Sequence, residues 1–487
     1  MRTRFSRLIR MASLAAVTAL ALTGCNAVVD GTPTLANAPD AKLSVKGVDS
    51  TSSFDRVAQN ALADIESFWR TSYPKVSGGK QLEPIKGGLY SVDGLKVAEN
   101  RSADGQPVED NACAERSIGF LVDNAAYCRL DDSIVWDRAP KHLFAELAKK
   151  YGDFVVALIF AHEFGHAVQE RLGVFDDDPK TIYTESQADC AAGAWAKAAT
   201  QQRAPHFRDI TLAKVDDALE GFLNGRDSTP ENIDDISHGN GFDRLSAVAD
   251  GFDKGVTYCY SDGYFSSRTF TERPYNSPED EASGGNTAFA KVVDTSANNP
   301  FVKDLNRFWT SAAQSIGKTF KPVKIAQAAH PKCGADASTE FGYCPDDNTV
   351  YFSTALAQRT YNSLPDVDVD RQNGNVTLLS NQPADFALGT MFSIGWGFAV
   401  RHQLFSRSLD GAAALQAGIC YTGAYAKDIN VEDPPGGFLL SPADLDEGVA
   451  ALLDEVPQDS AFGARDTTGL QRIQSFIKGY KGGKSVC

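Results

Sequence analysis

Residues able to do chemistry cluster between Asp153 and Lys197. His162-Glu163-Phe164-Gly165-His166 is an H-E-x-x-H run inside an apolar, helix-like segment, and Gly173 offers that segment a stop. On a helix, His162 and His166 stand one turn apart. Both imidazoles therefore leave one face and can bind one metal ion. Two neutral nitrogens at this spacing suit tetrahedral zinc. Glu163 is placed to reach a water beside the metal without ligating, which is the position of a general base. Thr184-Glu185-Ser186-Gln187 has the pattern of a capping box, which predicts a second helix starting at Thr184. Glu185 then lies in its first turn and Asp189 one turn later. Catalytic zinc takes three protein ligands, so Glu185 is the expected third. Asp189 is expected to accept the free ring N–H of a ligand histidine.

HEFGHAVQ followed by ESQADCAAGAWA resembles the neutral zinc metallopeptidases of bacteria, whose pattern is a HExGHxxQ helix and then an E-x-Q-A-D-C-x-A-G-x-W helix. The ligand scheme is also similar to the broader gluzincin class. The resemblance runs from about Cys113 to Cys259. Ser186 departs from it, since a bulkier apolar residue is common there. It implies a Zn2+ site of His162, His166 and Glu185, with Glu163 as catalytic base in peptide-bond hydrolysis. His238 is a candidate donor to the oxyanion, with Tyr183 as the alternative. Such peptidases place a strand edge beside the metal, and Ile134–Trp136 is the candidate edge. The competing reading is a zinc-stabilised cell-envelope binding or assembly protein without peptidase activity.

These residues need elements to hold them, and the chain begins with a leader. Arg2, Arg4, Arg7 and Arg10 precede a short apolar run, Met11–Leu22, that ends in Leu22-Thr23-Gly24-Cys25. Residues 1–25 read as a lipoprotein signal with Cys25 as the lipid acceptor. Residues 26–53 read as a tether. The expected location is the extracytoplasmic face of the cell membrane, held by the N-terminal lipid, with a peptide or protein substrate in the envelope. Hydrophobic residues are 43% of the 487 and charged residues 23%, enough to bury a core. A net charge of −16 argues against nucleic acid as a partner.

The second half repeats the first. Asp64–Trp69 aligns with Asp304–Trp309, and Tyr127-Cys128 with Tyr343-Cys344. DFVVALIFAHEFGHAVQERL aligns with DFALGTMFSIGWGFAVRHQL, and GFDKGVTYC with GYKGGKSVC. Blocks recurring in one order are what a duplication leaves. In the second copy His162 falls on Ile394, Glu163 on Gly395, His166 on Phe398, and Glu185 on or beside Ala414. The copy is therefore expected to lack the metal site. His402 remains near the end of its helix as an expected surface residue.

Nine cysteines, less Cys25, leave four in each half. The same wiring twice gives Cys113–Cys128, Cys190–Cys259, Cys333–Cys344 and Cys420–Cys487. The expected organisation is a metallopeptidase domain over 54–260, a polar linker over 261–289 and a degenerate copy over 290–487. The fold class is α+β, mainly helical, as two tandem zincin-like domains. A helix is expected near residues 54–72, another from Asp209 to Leu223, and a strand at Ser133–Trp136.

Overall fold

The computed structural model describes residues 37–94, 113, 121–139, 143–227, 237–296, 298–333, 339–370, 375–431, 435, 438–453 and 467–487. The leader, Cys25 and residues 26–36 of the tether lie outside them. The fold is mainly helical with small mixed sheets.

The first half runs β1 (Val45–Lys46), α1 (Ser53–Val76), β2 (Gly88–Val92), β3 (Ala125–Cys128), β4 (Ser133–Asp137), α2 (Leu143–Tyr151), α3 (Asp153–Leu172), α4 (Thr181–Thr200), α5 (Leu212–Phe222) and α6 (Gly241–Lys254). α1 starts where Ser52 accepts the Asp55 N–H, and its apolar face is buried. α3 is apolar nearly all round because it is packed nearly all round, by α1, α2, α4, α5 and β3. It stops at Gly173, which takes a left-handed φ of 74° and gives its N–H back to the last turn. The sheet order is β1-β2-β4-β3, with β2 parallel and β3 antiparallel to β4.

The second half runs α7 (Pro300–Gln314), β5 (Lys324–Gln327), β6 (Phe341–Cys344), β7 (Thr349–Phe352), α8 (Thr354–Tyr361), β8 (Leu364–Asp370), β9 (Asn375–Gln382), α9 (Asp385–Phe405), α10 (Ala412–Ile429), α11 (Asp444–Leu453) and α12 (Gly469–Gly482). Its sheet order β5-β7-β6 has the same parallel and antiparallel pairings as β2-β4-β3. The hairpin β8–β9 stands apart from both sheets. The disulfides join Cys113 to Cys128, Cys190 to Cys259, Cys333 to Cys344 and Cys420 to Cys487, the expected wiring.

α4 and α6 touch backbone to backbone. A Cβ at Gly251 would run into the Cys190 carbonyl, and one at Gly193 into the Val248 carbonyl. Gly479 meets the Cys420 carbonyl and Gly423 the Phe476 carbonyl in the same way between α12 and α10. Gly251→Ala must push α6 off the helix that carries Glu185. We expect a loss of about 2–3 kcal/mol in stability, read from the chemical-denaturation midpoint. An unshifted midpoint would contradict this packing.

Three boundary expectations change. The described residues form one compact unit, and one hydrophobic core runs through both halves. Phe242 of α6 packs on Phe476 and Tyr480 of α12, and its N–H is accepted by Asp446 of α11 at 2.7 Å. Residues 261–289 are built into the fold, not a loose linker. Tyr264 is buried against Ser186, Arg268 bonds Asp250, and Thr271 caps Asp243. The polar composition that suggests a linker is spent on these contacts. The described part of the tether is also held, since β1 pairs with β2 and the Ala38 N–H bonds the Pro205 carbonyl.

The candidate strand edge is corrected too. Ile134–Trp136 lies in β4, between β2 and β3, and is fully buried. Among the described residues the outer strand on this side is β3.

Candidate metal centre

The start of α4 differs from the capping-box expectation. The helix begins at Thr181, and Thr184 turns its hydroxyl onto the Thr181 carbonyl. Buried Ile182 draws in an extra helical turn, so Glu185 sits in the second turn. The helix still presents Glu185 to α3. The close fit of Gly165 against Ala188, where a Cβ would be about 3.0 Å from the Ala188 Cα, brings the two helices together at this level.

Three side chains meet there. Glu185 Oε2 lies 3.1 Å from His162 Nε2, and Glu185 Oε1 lies 3.3 Å from His166 Nε2. The two Nε2 atoms are 3.1 Å apart. His162 is 5% and Glu185 8% exposed, so neither has water to answer its charge.

The other ring nitrogens fix the tautomers. Asp189 Oδ1 lies 2.6 Å from His162 Nδ1, and Gln169 Oε1 lies 2.8 Å from His166 Nδ1. Gln169 gives its NH2 to the Thr184 carbonyl and to Gln187 Oε1, so its own oxygen must accept. Each Nδ1 therefore carries the proton and each Nε2 a lone pair. Two lone pairs and a carboxylate at these distances repel unless a cation lies among them. Zinc–ligand distances of ~2.0–2.1 Å in a tetrahedron separate neighbouring ligand atoms by roughly 3.3–3.4 Å. The residues present fit zinc.

Behind Asp189 stands Arg244 of α6. Its Nε is 3.0 Å from Asp189 Oδ2 and its Nη2 3.0 Å from Asp189 Oδ1. Burial pushes the Asp189 pKa up, but Arg244 and His162 outweigh it and hold the carboxyl below its usual range. Burial also opposes charge on His162, yet Asp189 and Glu185 push its pKa up to about 10, so without a metal ion its Nε2 would hold a second proton, which a bound cation displaces to free the lone pair. Glu185 is held well below the usual carboxylate range by the two imidazoles, against its own burial.

Glu163 projects beside this group, with Oε1 3.9 Å from His162 Nε2. The Tyr127 N–H of β3 donates to its Oε2 at 2.8 Å. His238 stands with its side chain 57% exposed, its ring 3.4 Å from Asp227. Asp227 raises its pKa, burial opposes the rise, and Glu185 adds to it. The Tyr183 ring packs tilted against Phe265 and edge-on against Phe270. Ser186 is buried and bonds the Tyr264 hydroxyl, which accounts for a polar residue at that position.

Arg244, Gln169 and the Tyr127 N–H have no role in the sequence reading. Gln169 was within reach, three residues after His166 on one helix face. Arg244 gives no local signal, because only the tertiary fold carries it to Asp189.

At the matching place in the second half, Ile394 and Phe398 are buried core, and a Cβ at Gly395 would strike Val350. The close pair Gly397–Gly418 sets the register, which puts buried Leu415, beside Ala414, where Glu185 stands. His402 is exposed. Arg472 stands seven residues before Gly479, as Arg244 does before Gly251, but gives its guanidinium to the carbonyls of Leu452, Thr467 and Leu453.

Residues 110–261 match the family described as "Putative neutral zinc metallopeptidase". Among curated relatives, the uncharacterized protein YpfJ of Escherichia coli (strain K12) is 30% identical over 151 residues, covering 26% of this chain and 50% of the relative. The uncharacterized protein Rv2575 of Mycobacterium tuberculosis (strain H37Rv) is 30% identical over 107 residues, covering 19% of this chain and 36% of the relative. The chain thus spans about half the length, or less, of the curated relatives it matches. No solved structure matches the chain. The matched stretch contains every side chain of the centre, and that family is one of zinc metallopeptidases by description only, both relatives being uncharacterized.

Proposed function

We propose that the chain is an extracytoplasmic zinc peptidase, held to the cell membrane through lipid on Cys25. One observation carries the reading: His162, His166 and Glu185 converge with both Nε2 atoms turned inward, and Glu163 stands beside them.

Zinc bound by these three residues supplies Lewis acidity toward a peptide carbonyl and toward water. Glu163 takes the proton of the attacking water and hands it to the leaving amine. The Tyr127 N–H fixes the Glu163 carboxylate in place for that task. β3, the outer strand beside Glu163, offers an edge to an extended peptide. His238, oriented by Asp227, is the candidate donor to the oxyanion. Gln169 and Asp189 hold the imidazoles in their tautomers, and Arg244 holds Asp189.

The second half is read as a duplicated copy that has lost the site. Its support is the shared sheet pairing, the shared disulfide wiring and the shared glycine contacts between paired helices. Its present work is structural, because α11 and α12 buttress the helix that carries Arg244.

The test is cleavage of an unstructured protein by the purified chain. Cleavage should stop on stripping with a chelator and return with zinc. Cleavage that persists in the metal-free protein, or a zinc-loaded chain that cuts no peptide in a diverse library, would contradict the reading.

A further inference from the structure

Among the described residues a second group of side chains can also hold a metal ion, and it contains no histidine. Asp385 opens α9, and Asp444 and Glu447 lie in the first turn of α11. Their ligand atoms lie within 4.8 Å of one another. They are 9%, 4% and 1% exposed.

Each carboxylate spends one oxygen on a backbone amide. Thr287 N donates to Asp385 Oδ2 at 2.7 Å, Ser441 N to Asp444 Oδ2 at 2.8 Å, and Phe386 N to Glu447 Oε2 at 2.7 Å. Asp385 Oδ1 and Asp444 Oδ1 are buried and meet no nitrogen or hydroxyl donor, and for Asp385 the one neighbouring group that could donate is Glu447, if protonated. A buried carboxylate oxygen with no partner is costly unless a proton or a cation answers it. Burial and the neighbouring acids raise the pKa of Asp444 and Glu447, and burial raises that of Asp385. The partial positive charge of two helix N-termini works the other way and favours the ionised forms.

We propose that Asp385, Asp444 and Glu447 bind a hard divalent cation, calcium. All donors are oxygens, the set that suits a hard cation. Calcium–oxygen distances of ~2.3–2.6 Å allow donors up to about 4.6–5.2 Å apart on one ion, and these atoms stand within 4.8 Å, so one ion can reach all three with water completing its shell. The ion has a way in. A cavity of about 760 Å³ between the halves is lined by Glu447, Ser441 and Asn286. Bound there, it ties the start of α9 to α11, whose Asp446 caps α6. The site shares no residue with the His162 group, so its failure would leave the peptidase reading untouched.

The test is calcium titration of the full zinc-loaded chain near neutral pH. Heat is measured alongside terbium luminescence, which Tyr361 beside the cluster can sensitise. We expect one calcium per chain at ~10⁻³ M or tighter, the range of extracellular sites, and a raised melting temperature. Asp444→Asn should weaken uptake at least tenfold and leave the zinc content unchanged. A wild-type chain that takes up no calcium at about 10 mM, well above that range, would overturn the proposal. So would an Asp444→Asn chain that binds calcium as tightly as wild type. Should Asp444→Asn not fold, the wild-type titration decides alone.

Discussion

Glu163→Gln slows peptide hydrolysis by about 10³-fold and leaves zinc bound. The substitution keeps the shape of the side chain. Its amide oxygen can still accept the Tyr127 N–H. It has no basic lone pair to take a proton from water. The ligands His162, His166 and Glu185 are untouched, so metal content should match wild type. The loss should fall on kcat with little change in KM, because the missing interaction belongs to the transition state. Zinc analysis and steady-state kinetics on the same sample check this. Full activity in Glu163→Gln would remove the general base from the account.

The second large effect is expected at Asp189→Ala. This carboxylate is fully buried between the His162 ring and the Arg244 guanidinium. Its removal leaves Arg244 buried without its counter-charge, at a cost of about 3–5 kcal/mol. It also frees the His162 tautomer, which lowers metal affinity by about 10–100-fold. The two losses separate in the double variant Asp189→Leu with Arg244→Met. An apolar pair restores most of the stability, since a buried ion pair replaced whole is often neutral. It cannot restore the hydrogen bond to His162, so the affinity stays low. Zinc affinity that recovers together with stability would show Asp189 to be structural only.

The convergence of His162, His166 and Glu185 was legible because helix geometry is local. His162 and His166 need only the i, i+4 spacing, and Glu185 with Asp189 needs the same on the next helix. The disulfide pairing was legible because four cysteines stand in the same order in each half, which suggests one wiring used twice. What failed was tertiary. Thr184 has the letters of a capping residue, but buried Ile182 pulls the helix start back to Thr181. Ile134–Trp136 reads as a strand and is one, yet its place inside the sheet depends on β2, some 45 residues earlier. The polar run 261–289 reads as a linker because its partners, Asp243, Asp250 and Ser186, are far away in sequence. Arg244 was silent for the same reason. A charge buried by tertiary contact looks like any surface charge in the chain.

Zinc content of the purified chain, measured by mass spectrometry beside that of Glu185→Ala, tests the centre most directly. The geometry predicts one tightly held zinc per wild-type chain and a variant that loses its metal on dialysis while keeping its helical content. A Glu185→Ala chain that retains one zinc at wild-type affinity would contradict a centre built from His162, His166 and Glu185.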